Sequence, residues 1–251
     1  MQISAQELRH LANDVDDLHH EAMRTFEEEA AELHLGAVRE RRTFLKRSGI
    51  AAVGGTLLAT GGGITTFTRL GGLAAAQGLS DTQIAGYAQS IELAAVAAYM
   101  AAAPKLSGDV LDVATLFAGH HQDHADAFGA VAGEDARPEA NAKLVEAVSP
   151  TLQVVAAADP SDELTGQILT FARDLENQAA YTYAAALTLL SDPAYAAATS
   201  TILPIEAQHA TVLTLALDGG PDDLFPTGAF ESAALGDGTD PTKGLDPATF
   251  G

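Results

Sequence analysis

The chain has 251 residues, 47% of them hydrophobic, no cysteine, and a formal net charge of −21. That length suits one domain with extensions, and so acidic a surface argues against nucleic acid as a partner. The absence of cysteine excludes disulfides, thiolate metal sites and iron–sulfur clusters, so any metal must be held by His and carboxylates. Alanine is abundant, aromatic residues make up only 6%, and apolar residues rarely alternate with polar ones, so an all-α fold is expected. The acidic residues are read first as a solvated surface that aids solubility.

At the N-terminus, Leu8, Leu11, Val15, Leu18 and Ala22 recur at helical spacing within residues 1–40. They read as an amphipathic extension lost with a leader, or as a partner-binding coil of about two heptads. Translation from Met23 would shorten this front end. Arg41-Arg42-Thr43-Phe44-Leu45-Lys46 follows, then a weakly apolar run over residues 49–67, then Ala74-Ala75-Ala76 before Gln77. Motif, run and A-x-A site stand in the order of a twin-arginine export signal, which they resemble in full. The resemblance implies the Tat export machinery as a partner, membrane contact only in transit, cleavage between Ala76 and Gln77, and a periplasmic, cell-envelope or extracellular destination. Retention as a membrane anchor is the less favoured alternative. Gly54, Gly55, Gly61, Gly62 and Gly63 make the run a poor helix of barely spanning length.

The remaining chain divides into residues 77–218, expected to form a bundle, and a Gly/Pro/Asp-rich tail over 219–251. A first helix is expected over 80–103, opened by a Ser80/Gln83 capping box and stopped by Pro104. The second runs from Ser107 to Gly133 and the third from Ser161 to Leu190. The fourth opens at Asp192-Pro193 and ends before Gly219-Gly220, with a kink or break expected at Pro204. Residues 134–160 form a crossover with a short helix near 139–148. This is the layout of two helical hairpins in a four-helix bundle.

Each hairpin carries the same polar pattern. Glu92 precedes His121-x-x-His124 by 29 residues, and Glu176 precedes Glu206-x-x-His209 by 30. The i, i+3 spacing sets both members of each motif on one helix face. Tyr99 and Tyr183 each follow their hairpin's glutamate by seven residues and share its face. Core packing is the first reading for both tyrosines, and support of the site the second. Two such hairpins packed about an approximate two-fold axis would point all six groups at the bundle centre, where burial would cost several kcal/mol each without pairing or metal.

This ordered set resembles the ferritin-like superfamily over about residues 80–217, closest in style to exported proteins similar to plant desiccation-related proteins. The resemblance implies a dinuclear centre of two divalent ions, iron or manganese or else zinc. Glu92 and Glu176 would be terminal or bridging ligands, Glu206 bridging, and His121, His124 and His209 terminal. The chain departs from the pattern at His121, where the family has Glu. His120 is the alternative ligand there, and is otherwise read as solvated. One anion fewer disfavours highly oxidised iron. Affinity is expected to fall below about pH 6, as imidazoles protonate. The implied function is redox chemistry on oxygen or peroxide; the alternatives are a non-catalytic metal-binding or stress-related scaffold, or an interaction module. A homo-oligomer is compatible with either. Asp123 and Asp126 are expected to face solvent, and His10, His19, His20 and His34 to take no part in the site.

Overall fold

The structure, a computed structural model, describes residues 3–48 and 79–217. Among these there are six α-helices and no strand: α1 (Ala5–Ser48), α2 (Asp81–Ala102), α3 (Gly108–Ala132), α4 (Ala142–Ala157), α5 (Asp162–Leu187) and α6 (Pro193–Ala216). The apolar run at 49–67, the Ala76/Gln77 cleavage site and the tail at 219–251 lie outside the described residues. No helix among the described residues is long and apolar enough to cross a membrane.

The expected caps set the helix starts. Ser80 and Gln83 form the reciprocal capping box of α2. Ser161 accepts from the Leu164 amide at the head of α5, and Asp192 accepts from Ala194 with Pro193 in the first turn of α6. Asp81 also receives the Ser191 and Asp192 amides at 2.9 and 2.7 Å, tying the start of α2 to the start of α6. Helix α3 ends at Gly133, whose φ of +58° favours glycine.

Helices α2 and α3 pair as one hairpin and α5 and α6 as the other. The crossover helix α4 packs on α2, burying Leu144 and Val148 against Tyr87, Ile91 and Phe171. It is longer than the expected 139–148 segment and runs through Pro150. The break expected at Pro204 does not occur, since α6 continues unbroken through it. Proline removes one backbone hydrogen bond, and the buried flank of Ile202, Ile205, Glu206 and His209 holds the helix together by packing.

The largest departure is α1. It lies against α6 and α3 as a fifth helix of the bundle. Its buried stripe is Leu8, Ala12, Val15, His19 and Phe26, whereas Leu18, expected on the apolar face, is 47% exposed. Phe26 sits edge-on to Phe128, and burial of such a ring is worth roughly 2–3 kcal/mol. Arg9 adds an ion pair to Asp109 on α3. Arg41 and Arg42 fall in the last two turns of the same helix.

Candidate metal centre

All six expected ligands converge. Helix α2 contributes Glu92, α3 His121 and His124, α5 Glu176, and α6 Glu206 and His209, and each is 2% exposed or less. One turn of helix separates the members of each i, i+3 pair, so both side chains enter the centre from the same face. They form two overlapping groups: Glu92, His121, His124 and Glu206; and His121, Glu176, Glu206 and His209. In each group the ligand atoms lie within 4.8 Å of one another.

Glu206 and His121 belong to both groups. Glu206 thus faces both groups, and so does the His121 ring, with one nitrogen toward each side. Its Nδ1 lies 2.7 Å from Glu92, and its Nε2 lies 3.1 Å from Glu176. A neutral imidazole has a single lone pair, so His121 serves one ion at a time. On the opposite sides, His124 Nδ1 lies 2.9 Å from Glu206 Oε1 and 3.7 Å from Glu92. His209 Nδ1 lies 3.2 Å from Glu176 and 3.5 Å from Glu206.

A metal pair fits these residues on an observation independent of their spacing. Both ring nitrogens of His124 and both carboxylate oxygens of Glu206 have no hydrogen-bond partner, although both side chains are fully buried. The 2.9 Å approach between them is too poorly aligned to count as a hydrogen bond. Buried polar atoms left unpaired are costly, and a divalent cation would satisfy the carboxylate of Glu206 and one ring nitrogen of His124.

Electrostatics point the same way. Burial opposes charge on His121, but Glu176, Glu206 and Glu92 overcome it and raise its pKa well above the ordinary value. His124 rises to about 9 and His209 also rises, again against burial and through the neighbouring carboxylates. Burial pushes Glu92 and Glu176 upward, yet the imidazoles prevail: Glu92 is lowered, and Glu176 lies well below the carboxylate range. Without metal, the imidazoles and the Glu92 and Glu176 carboxylates therefore favour one another's charged forms.

The tyrosines cross between hairpins. Tyr99 on α2 donates to Glu176 on α5, and Tyr183 on α5 donates to Glu92 on α2. Both rings are also core residues, in separate apolar clusters, so packing and support of the ligands coincide. Burial, then the Glu176 charge, lifts the Tyr99 phenol well above its usual pKa, so it stays a hydrogen-bond donor.

His120 is not solvated. It is 3% exposed and hydrogen-bonds to His209 at 2.9 Å and to Asp16 of α1 at 3.0 Å. His121, rather than His120, occupies the ligand groups shared with Glu206. His19, expected outside the site, is 1% exposed and stacks on His120 with ring centroids 3.8 Å apart. A histidine on the apolar stripe of α1 was the available signal. His10 and His20 are exposed, as are Asp123 and Asp126; the side chain of His34 lies outside the described residues.

One further residue carried no sequence signal. Gln178 is 1% exposed, and neither polar atom of its amide has a hydrogen-bond partner. It lines a cavity of about 30 Å³ whose wall includes Glu92 and His121, with Ile91, Ala98, Leu144 and Leu175. That is room for about one water-sized molecule beside the ligands.

The ferritin-like domain family matches residues 80–218, more than half of the chain. Neither a curated protein nor a solved structure matches it.

Proposed function

We propose, on the premise that this chain belongs to the ferritin-like domain family, that it holds two divalent ions between Glu92, His121, His124, Glu176, Glu206 and His209 and acts on dioxygen or a peroxide. The observation that carries the reading is the set of unpartnered ligand atoms on His124 and Glu206 at zero exposure. The ions would supply electron transfer and Lewis acidity, which these side chains lack. The protein's own part is to hold the carboxylates with Tyr99 and Tyr183 and to exclude water with the surrounding apolar clusters. The small cavity against Glu92 and His121 supports a small reactant, and the Gln178 amide offers it a donor and an acceptor. Metal analysis of protein purified from its native host tests the reading, because protein made in rich medium can carry the wrong ion. About two iron or manganese ions per chain are expected; a metal-free protein would sink it.

His121 favours a second reading, a metal-binding scaffold without turnover. With one carboxylate replaced by an imidazole, the donor set neutralises highly oxidised iron less well and suits zinc. Rapid mixing of the metal-loaded protein with peroxide separates the two: spectral change and peroxide loss support redox work, and inertness supports the scaffold.

The Arg41-Arg42-Thr43-Phe44-Leu45-Lys46 string supports export of the chain by the twin-arginine machinery to the cell envelope or beyond. The ordered Glu and His set of residues 80–217 supports the likeness in style to exported ferritin-like-domain proteins similar to plant desiccation-related proteins. Replacing both arginines (Arg41→Lys with Arg42→Lys) is expected to retain the protein in the cytoplasm, and normal secretion of that variant would end the export proposal.

A further inference from the structure

Helix α1 brings a carboxylate to the edge of the centre. Asp16 Oδ1 lies 3.0 Å from Nε2 of His120, whose Nδ1 lies 2.9 Å from Nε2 of His209. The other nitrogen of His209 faces Glu176 and Glu206. We infer that Asp16 is a positioning residue for the metal pair: acting through His120, it fixes the His209 ring with its Nδ1 lone pair turned toward the ions. The inference rests on the dinuclear reading above.

Proton positions fix the direction of each bond in this chain. An imidazole that gives its Nδ1 lone pair to a metal keeps its proton on Nε2. For His209 that nitrogen is buried, and the acceptor facing it is Nδ1 of His120. His120 must then carry its own proton on Nε2, which Asp16 accepts. An ionised carboxylate accepts only, so it sets the direction of both hydrogen bonds. Such outer partners orient a ligating histidine and raise its basicity.

Stacking holds both rings in plane: His19 lies on His120 with planes 13° apart, and Phe117 lies on His209 at 4.0 Å and 25°. Asp16, His19 and His120 also stand close enough together to hold a cation. His120, however, has committed both ring nitrogens, so an ion there would break the chain to His209. In the other half of the centre His124 has no such support, since neither of its ring nitrogens has a hydrogen-bond partner. The two ions should therefore be held unequally, with the His209 ion the tighter.

Zinc titration of the full chain by calorimetry, with NMR of the imidazole N–H groups, tests this. Asp16 is one-third exposed, so its replacement should not unfold the bundle. In Asp16→Ala one zinc ion is expected to bind about tenfold or more weakly, the range for loss of an outer-shell partner, and the Nε2–H signal of His209 should shift. Asp16→Asn, whose amide oxygen can accept the same bond, should recover most of the affinity. His120→Phe, which keeps a ring but offers no acceptor, should behave like Asp16→Ala.

A role in packing alone would lower the melting temperature of Asp16→Ala while leaving both affinities and the His209 signal unchanged, and that result overturns the inference. So does a third zinc ion that Asp16→Ala removes. Failure of the wild type to bind zinc, manganese or ferrous iron would instead end the dinuclear reading, and this inference with it.

Discussion

Tyr183 on α5 donates its phenol to Glu92 on α2, so a ligand of one hairpin is aimed by a residue of the other. Tyr99 and Glu176 repeat the relation in the opposite sense. Tyr183→Phe or Tyr99→Phe would each leave a buried carboxylate short of one hydrogen bond. A loss of about 1.5–3 kcal/mol in metal-free stability is expected by urea unfolding. One ion should also bind about tenfold or more weakly. A Phe variant that matches wild type in both measurements would reduce the tyrosines to packing.

Glu206 is shared by both ligand groups, so its loss should be felt by both ions. Glu206→Ala is expected to bind fewer than two ions per chain by elemental analysis. In the wild type, ions at about a hundred times their dissociation constant should add roughly 2.7 kcal/mol of stability for each site. If Glu206→Ala and wild type melt alike with and without metal, the shared-ligand assignment is wrong.

Metal uptake should release protons. His124, raised to about 9, carries charge at neutral pH before metal arrives, and the neighbouring carboxylates favour the charged forms of His121 and His209 as well. The sign follows from the raised values. Charge on His124 stabilises the metal-free fold fully below about pH 6.5, the unfolded value, and that contribution disappears as pH rises through about 9. Metal affinity should accordingly climb across the same interval, which lies higher than the pH 6 limit expected from unperturbed imidazoles. Calorimetry in buffers of different ionisation enthalpy measures the release; identical heats in all buffers would refute it.

Acid should loosen α1. Burial and then the imidazole of His120 lower His19 to about 2, and burial and then His209 lower His120 to about 3. An unfolded chain takes up these protons near pH 6.5 while the fold does not. Stability is therefore lost as pH falls from about 6.5 toward 3. Asp16, His20, Asp123, His124 and His209 all face this pair and are included in that balance. Protection of residues 8–26 against hydrogen exchange, taken relative to the intrinsic rate at each pH, should fall between pH 7 and 5, and His19→Phe, which keeps a ring but cannot titrate, should flatten the response. Protection independent of pH would show that the rings do not control docking.

Much of this was legible in the sequence because it is local. Ser80 with Gln83 and Asp192 with Pro193 mark helix starts within one turn, and the two i, i+3 pairs fix which faces meet. The convergence of the six candidate ligands could be read because the second hairpin repeats the first. What was hidden is long-range. Nothing near His120 says that Asp16, 104 residues earlier, will meet it, and nothing near Gln178 shows that its amide ends in an apolar cavity. The N-terminal stripe was misplaced because Leu11 and Leu18 outrank Ala12 and His19 in hydrophobicity, whereas the close approach of α1 favours the smaller and flatter side chains.

The span of α1 has an implication for how the protein is made. The helix that sets Asp16 and His19 against the candidate metal centre also carries Arg41 and Arg42 near its far end. If the chain is exported and cut after Ala76, the scissors remove the roof together with the address label. The product would keep all six ligands but lose the outer hold on His209, and His120 would meet water. Precursor and product would then be two metalloproteins with different affinities, the precursor suited to capture ions before transit and the product more open to reactants and to metal exchange afterwards.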